Sequence, residues 1–243
     1  MTGALLQLDR VGKRFGGFVA LHAVDLEVRQ GERVGLIGPN GSGKSTLVNC
    51  ASGTLRNDRG SIRFAGQVLE RLKPHERTRL GLARSFQLPR PFASLSVADN
   101  LRVPLEYTVH ARTGADRQAI DARALDLLRV IGLDAKARRQ PRDLTQIEMR
   151  KLELARAIAS EPRLLMADEP MAGLSPAEVD EILALLLRLN EAGMTIILIE
   201  HIMRAVMRFS QRLVVLVAGG KIADGMPAEV VRHPDVERAY LGE

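Results

Sequence analysis

Gly38-Pro39-Asn40-Gly41-Ser42-Gly43-Lys44-Ser45-Thr46 is the stretch that decides the fold of this chain. It has the form G-x-x-x-x-G-K-[ST], the phosphate-binding P-loop. The run Arg33–Ile37 before it predicts a short buried strand, and residues 47–51 after it predict a helix. Glycines let the backbone turn its N–H groups inward, and the helix adds its positive end. We expect Lys44 to reach the β- and γ-phosphates of a nucleotide and Ser45 to give an oxygen to Mg²⁺.

Composition and charge narrow the class of protein. The 243 residues are 46% hydrophobic and 26% charged, which is typical of a globular protein with a large core. A single cysteine, Cys50, excludes an internal disulfide framework. Neither a signal peptide nor an apolar run of about 20 residues is present, which predicts a cytoplasmic chain. The net charge is +6, but aromatic residues make up only 3%, so we predict no nucleic-acid partner.

The first and middle parts of the chain differ in character. Residues 5–9, 24–28 and 61–64 alternate apolar and polar side chains, which predicts an antiparallel β piece. From Pro74 to about Gln140 strand signals vanish and prolines punctuate the chain. Residues 122–131 carry leucines at helical spacing, with Gly132 as a stop signal. This middle part is predicted to be an inserted helical lobe.

Strands and helices alternate in the last part of the chain. Strands are expected at 164–167, 195–199 and 213–217, and helices at 147–159, 176–191 and 202–209. Ser175 is the expected N-cap of one helix, with Pro176 at its first position. The fold class is therefore α/β: a P-loop NTPase with a mostly parallel sheet, an N-terminal antiparallel β subdomain and an inserted helical subdomain.

Candidate catalytic and Mg²⁺-binding side chains follow the ends of several predicted strands. Asp168 and Glu169 end the strand 164–167, beside the P-loop edge of a parallel sheet. Asp168 is predicted to hold Mg²⁺, and Glu169 to orient or deprotonate a water. His201 follows the strand 195–199 and is expected to contact the γ-phosphate. Gln87, where the body meets the lobe, is a further candidate ligand of Mg²⁺ or of the water.

Together these residues resemble the ATP-binding cassette (ABC) family of transport ATPases, over residues 5 to 242. The resemblance implies that Phe15 stacks on adenine, that residues 38–46 and 164–168 are the Walker A and B motifs, and that Glu169 is the catalytic glutamate. Gln87 matches the glutamine loop and His201 the switch histidine. One ABC ATPase domain is implied over residues 1–243, with a body of 1–87 and 160–243 and a lobe of about 88–159.

Two positions depart from the family pattern. The signature Leu-Ser-Gly-Gly-Gln is replaced by Leu144, Thr145, Gln146, Ile147 and Glu148, which we call the signature segment. In the family this segment binds the γ-phosphate held by the opposite subunit, and a Cβ at Ile147 is expected to crowd that approach. Thr145 and Glu148 form a capping-box pattern. Ser175 stands where many cassettes have Asp. We therefore predict that a second, different cassette pairs with this chain.

The subgroup that this chain resembles serves branched-chain amino-acid uptake. Residues 15–21, 83–87, 171–174 and 239–243 carry this resemblance; related cassettes serve urea and short amides. It implies an Mg-dependent ATPase at the cytoplasmic face of the inner membrane, with ATP and Mg²⁺ as cofactors. The implied partners are a second ATPase subunit, two transmembrane permease subunits and, indirectly, a periplasmic substrate-binding protein.

Two other functions remain open from the sequence. One is a soluble cassette ATPase, of the iron–sulfur assembly or DNA-maintenance kind. The other is a nucleotide-binding regulatory module with little turnover, which the altered signature segment favours and the pair Asp168 and Glu169 disfavours. A GTPase switch is disfavoured because no Asn-Lys-x-Asp motif is present.

Overall fold

The fold consists of two sheets and a set of helices around them. A computed structural model describes residues 3–241; Gly242 and Glu243, the last residues of the stretch that resembles the uptake subgroup, lie outside it. The strands are β1 (Leu6–Phe15), β2 (Phe18–Val28), β3 (Arg33–Ile37), β4 (Arg59–Phe64), β5 (Gln67–Val68), β6 (Leu82–Ser85), β7 (Leu164–Asp168), β8 (Thr195–Ile199), β9 (Arg212–Val217) and β10 (Gly220–Gly225).

Helices cover the larger sheet and form the middle of the chain. They are α1 (Lys44–Ser52), α2 (Pro74–Arg79), α3 (Val97–Pro104), α4 (Ala111–Thr113), α5 (Arg117–Ile131), α6 (Gln146–Ile158), α7 (Pro176–Glu191), α8 (Met203–Phe209), α9 (Pro227–Val230) and α10 (Pro234–Leu241). A π-helical segment, Leu105–His110, joins α3 to α4. None of the helices within residues 3–241 combines the length and apolarity needed to cross a bilayer.

The strands form one mostly parallel sheet and one antiparallel sheet. The larger sheet has the order β10-β9-β3-β8-β7-β6, and its strands are parallel except β10, which pairs antiparallel with β9. The smaller sheet, β2-β1-β4-β5, is antiparallel throughout. This arrangement confirms the predicted α/β class with its antiparallel β piece.

Local signals set several helix ends as the sequence predicts. Ser175 caps α7: its side chain accepts a hydrogen bond from the N–H of Glu178, whose carboxylate returns to the N–H of Ser175 at 2.8 Å. Pro176 occupies the first position of that helix. Gly132, with φ of 72°, ends α5 in the left-handed conformation that glycine adopts most easily.

One strand, β6, lies in the part of the chain after Pro74 for which no strand was predicted, so the prediction is wrong there. Leu82–Ser85 forms β6, which pairs in parallel with β7 from Leu82 opposite Leu164 to Ser85 opposite Ala167. Its four residues include Arg84 and Ser85, so no apolar alternation marks it. The strand forms because β7 supplies a hydrogen-bonding partner that lies about 80 residues away in sequence.

Two apolar clusters make up most of the core. One lies between the two sheets and around α1, and includes Leu6, Leu36, Val48 and Phe64. The other lies under the remaining helices, from α3 to α8. Cys50 belongs to the first cluster and is fully buried, as expected of a small core residue. The P-loop and its helix are thereby fixed between two packed layers.

Candidate functional site

The candidate site lies along one edge of the larger sheet. Four neighbouring parallel strands, β3, β8, β7 and β6, deliver their carboxyl ends there. Leu36, Ile199 and Asp168 lie in one row across three of these strands. The P-loop follows β3, His201 follows β8, Glu169 follows β7 and Gln87 follows β6. The topology therefore brings together residues that are more than 160 positions apart in sequence.

Backbone geometry explains the glycines of the P-loop. Gly38 has φ of 153°, and a Cβ there would lie 2.1 Å from the carbonyl oxygen of Leu216. Gly43 has φ of 102° and is the N-cap of α1, which has no side-chain cap. The first N–H groups of α1 therefore lack a side-chain acceptor from the N-cap, as an anion-binding helix start requires.

The side chain of Lys44 lies within the P-loop. Its Nζ donates hydrogen bonds to the carbonyl oxygens of Gly38 at 2.7 Å and Pro39 at 3.0 Å. Burial lowers the pKa of Lys44 from its ordinary value, while the charges of Glu169 and Asp168 oppose this shift. Both carboxylates are therefore close enough to Lys44 to interact with it electrostatically.

Asp168 and Glu169 project into different surroundings. Asp168 is buried and accepts a hydrogen bond from Arg84 Nη2 at 2.7 Å. Glu169 has a left-handed backbone, with φ of 45°, which is uncommon for a residue other than glycine. Its Oε2 accepts a hydrogen bond from Gln87 Nε2 at 2.5 Å. The chain turn at Glu169 thus separates the two carboxylates and brings the second one to Gln87.

Glu200 connects the loop after Glu169 to His201. Its side chain is fully buried and accepts hydrogen bonds from the N–H of Met171 at 2.9 Å and of His201 at 3.1 Å. Burial raises the pKa of Glu200, and these hydrogen bonds oppose the shift. The His201 side chain is 63% exposed, with Nδ1 3.8 Å from Glu200 Oε2. Glu200 therefore fixes both loops, although sequence reasoning did not select it.

One face of α6 holds the segment around Gln87, residues 86–90. Glu153 accepts hydrogen bonds from the N–H groups of Phe86 at 3.3 Å and Arg90 at 3.2 Å. Arg150 donates to the carbonyl oxygens of Gln87 and, at 2.9 Å, of Ala172. Arg150 and Glu153 are both buried. Since α6 begins in the signature segment, these contacts join that segment to the loops that carry Gln87 and Glu169.

The signature segment is bonded to its own subdomain. Thr145 caps α6 and accepts from the N–H of Glu148, whose carboxylate returns to the N–H of Thr145 at 2.8 Å, so the predicted capping box is confirmed. Lys136 Nζ lies 2.7 Å from Glu148 Oε1. Burial raises the pKa of Glu148, but the hydrogen bonds from Lys136 and Thr145 outweigh it and lower the pKa overall. Ile147 is half-buried and packs on the core.

Within residues 3–241, no hydrogen bond or ion pair links the signature segment to the P-loop. Gln146 lies instead against Gly173, where a Cβ would come within 2.7 Å of Gln146 Nε2. The structure thus places the P-loop, Gln87, Asp168, Glu169 and His201 at or just after the carboxyl ends of neighbouring strands at one edge of the sheet, and it bonds the signature segment to other residues.

Two phenylalanines lie at the β1–β2 turn near the P-loop. Phe15, the expected adenine contact, is 48% exposed, and the Nζ of Lys13 is 5.5 Å from its ring centre. Its sheet neighbour Phe18 lines a cavity of about 500 Å³ together with residues of the P-loop from Pro39 to Ser42. Sequence reasoning gave Phe18 no contact with the nucleotide, although a second aromatic residue just after Gly16 and Gly17 was a usable signal.

Comparisons with known proteins agree with this geometry. The model of the ABC transporter family matches residues 21–172. The high-affinity branched-chain amino acid transport ATP-binding protein LivG of Escherichia coli (strain K12) is 40% identical over 257 residues, with 100% of both chains covered. BraF of Pseudomonas aeruginosa, described in the same words, is 36% identical over 255 residues, again with 100% of both chains covered.

Solved structures show the same fold. An ATP-binding cassette of an ABC transporter in its ADP conformation has a TM-score of 0.89 and 31% identity, covering 100% of both chains. A dimeric ATP-binding cassette in a post-hydrolysis state, bound to ADP and Pi, has a TM-score of 0.82 and 26% identity, covering 91% of this chain and 98% of the other. These relatives are transport cassettes, which does not favour the two alternative functions. The chain is an ATP-binding ATPase subunit and belongs to the ABC transporter family.

Proposed function

We propose that this chain energises a membrane importer of branched-chain amino acids by hydrolysing Mg-ATP. The observation that carries the proposal is the convergence of the P-loop, Asp168, Glu169, Gln87 and His201 on one edge of the sheet. The substrate class rests on the full-length similarity to LivG and BraF, whose names state branched-chain amino acid transport. The residues of the nucleotide site carry no part of this argument for the substrate class.

The donor set fits Mg²⁺. Among the described residues, no cluster of three His, Cys, Asp or Glu side chains is arranged to hold a metal ion. Mg²⁺ characteristically takes one or two carboxylates together with waters and substrate phosphates. Asp168, with the Ser45 hydroxyl and the Gln87 amide oxygen, supplies such a set. When bound, Mg²⁺ neutralises charge on the β- and γ-phosphates.

Each nucleotide-site residue then has a defined task. Residues 38–46 and the start of α1 bind the phosphates, with Lys44 moving from its backbone acceptors to the nucleotide. Phe15 packs on the adenine, and Phe18 extends that aromatic surface toward the P-loop. Glu169, held by Gln87, orients and deprotonates the attacking water. His201, held by Glu200, contacts the γ-phosphate.

The partners follow from the signature segment. Two cassettes close around two ATP molecules, and each site combines one P-loop with the other chain's signature. Ile147 and the ionised Glu148 disfavour phosphate binding at the start of α6, so the second cassette is a different chain with an intact signature. Two permease subunits contact the lobe of residues 88–159 at the cytoplasmic face of the membrane, and a periplasmic substrate-binding protein acts on them.

Reconstitution tests this function. The chain, its permeases and the second cassette are placed in lipid vesicles with the periplasmic substrate-binding protein outside, and uptake of labelled leucine, isoleucine and valine is measured with and without internal Mg-ATP. We expect ATP-dependent uptake of all three amino acids. Uptake of urea or short amides alone would contradict the substrate class, and an active complex with two copies of this chain as its only cassettes would contradict the mixed pair.

A further inference from the structure

Arg84 forms an ion pair with the carboxylate proposed to hold Mg²⁺. Its Nη2 donates to Asp168 Oδ2 at 2.7 Å, and the two side chains are only 13% and 7% exposed. Arg84 belongs to β6 and Asp168 to the adjacent strand β7. Little solvent screens this pair, so the guanidinium charge acts strongly on Asp168 and on any other cation that approaches it.

The guanidinium is held in place from two further sides. Its Nη1 donates to Asn49 Oδ1 on α1, the helix that starts in the P-loop. Its Cζ lies 5.3 Å from the ring centre of Phe86, next to Gln87. The third nitrogen of the guanidinium, Nε, is buried and makes no hydrogen bond within the described residues.

We infer that Arg84 is a positioning residue that fixes Asp168 and suppresses binding of Mg²⁺ in the absence of nucleotide. The inference rests on the proposed Mg-ATP site. A divalent cation that shares Asp168 with Arg84 is repelled by the guanidinium. The carboxylates Asp168 and Glu169 already face two positive charges, those of Arg84 and Lys44, so no net negative charge is left for the metal. The phosphates of a nucleotide add the negative charge that is missing. The metal therefore enters this site together with the nucleotide.

Substitutions at Arg84 separate charge from hydrogen bonding. Arg84→Gln keeps a donor for Asp168 and removes the charge, whereas Arg84→Lys, the matched control, keeps the charge. The thermal unfolding midpoint of the purified chain is measured with no addition, with Mg²⁺ alone, with ADP and EDTA, and with Mg-ADP. We expect Mg²⁺ alone to raise the midpoint of Arg84→Gln clearly, and to leave the parent and Arg84→Lys nearly unchanged.

A Mg²⁺ titration gives the magnitude. For Arg84→Gln we expect the half-saturating Mg²⁺ concentration to fall by about tenfold relative to the parent, because one nearby positive charge is removed. Asn49→Asp provides a second route, since a new carboxylate beside Arg84 partly neutralises it without removing it. We expect the half-saturating Mg²⁺ concentration of Asn49→Asp to fall as well, so the inference can still be tested if Arg84→Gln does not fold.

The outcomes are distinct. Arg84 would be only structural if the unfolding midpoint of Arg84→Gln fell by the same amount under all four conditions, and if the half-saturating Mg²⁺ concentration of both Arg84→Gln and Asn49→Asp equalled that of the parent. This result would overturn the inference. A parent chain that Mg-ADP stabilises no more than ADP with EDTA would instead overturn the proposed metal site. The first result leaves the proposed function intact, so the two failures are distinguishable.

Discussion

The P-loop and the signature segment both lead into the first turn of a helix, but the two helix starts are built differently. The N-cap of α1 is Gly43, which provides no side-chain cap, and Lys44 follows it. The N-cap of α6 is Thr145, whose hydroxyl accepts a hydrogen bond from the N–H of Glu148, and the ionised carboxylate of Glu148 accepts one from the N–H of Thr145. Helix N-termini attract anions only when their N–H groups are open and no negative charge is added. The chain thus offers one helix start to phosphate and closes the other with its own side chains.

The largest expected effect concerns the P-loop side. Glu169→Gln removes the general base but keeps an amide that can still contact Gln87. We expect kcat of the assembled transporter to fall by about 10²- to 10⁴-fold while ATP affinity stays unchanged. ATP hydrolysis and equilibrium binding of a fluorescent nucleotide measure the two quantities.

Glu181→Gln is the matched control, since Glu181 is exposed and pairs with Lys151 on the surface. It should leave both quantities at the parent level. Equal hydrolysis by Glu169→Gln and the parent would remove Glu169 from the catalytic role.

A smaller effect concerns the signature segment. Ile147→Gly removes the side chain proposed to crowd the partner's phosphate, so we expect the ATPase rate of the assembled complex to rise several-fold. The helix itself should lose about 1 kcal/mol or more of stability, because glycine disfavours the helix and the half-buried side chain is lost.

Ile147→Ala is the control that keeps a Cβ. It should show less of the rate increase than Ile147→Gly, at a lower cost in stability. If both variants hydrolyse ATP at the parent rate, crowding at this position is not what limits the second half-site.

Glu200 predicts a pH-dependent effect on stability. Because the pKa of Glu200 is raised in the folded chain, the folded chain binds this proton more tightly than the unfolded chain, in which the pKa of Glu200 is near 4.5. As pH rises from below 4.5 through the raised pKa, the parent loses stability from this group. Glu200→Gln lacks that proton equilibrium.

Urea unfolding of both chains from pH 4 to pH 8 measures this difference. We expect the free energy of unfolding of the parent to decline, relative to that of Glu200→Gln, over that interval. A constant difference across the whole range would show that the Glu200 pKa is the same in the folded and unfolded chains.

The smallest effect concerns the cap of α7. Ser175→Ala removes the hydroxyl that accepts from the N–H of Glu178 and should lower stability by about 1 kcal/mol. Ser175→Asp, the residue common in the family, keeps a capping oxygen and should be close to neutral. Thermal unfolding compares the two, and a larger loss in Ser175→Asp than in Ser175→Ala would contradict the capping role.

Sequence reasoning worked best where local chemistry is strong. The bounds of β3, α7 and β8 agree with the prediction, because an apolar run marks each of the two strands and an N-cap serine followed by proline marks the start of α7. β1 and β2 are longer than predicted: their hairpin contains register shifts that break the alternation of apolar residues. β6 was missed because its partner strand, and not its composition, makes it a strand.

The sequence by itself determined the P-loop, the carboxylate pair 168–169 and the cap residues, since each depends on neighbours within a few positions. Only the tertiary structure placed Arg84 on Asp168, 84 residues away, and Gln87 on Glu169, 82 residues away. The same holds for the contacts of Arg150 and Glu153 with the segment around Gln87. These contacts arise from the order of parallel strands in the sheet and from the packing of α6, and no local pattern encodes either. The signature segment depends on both local sequence and tertiary structure. Its residues predict a capped helix, and the fold decides which loops that helix contacts.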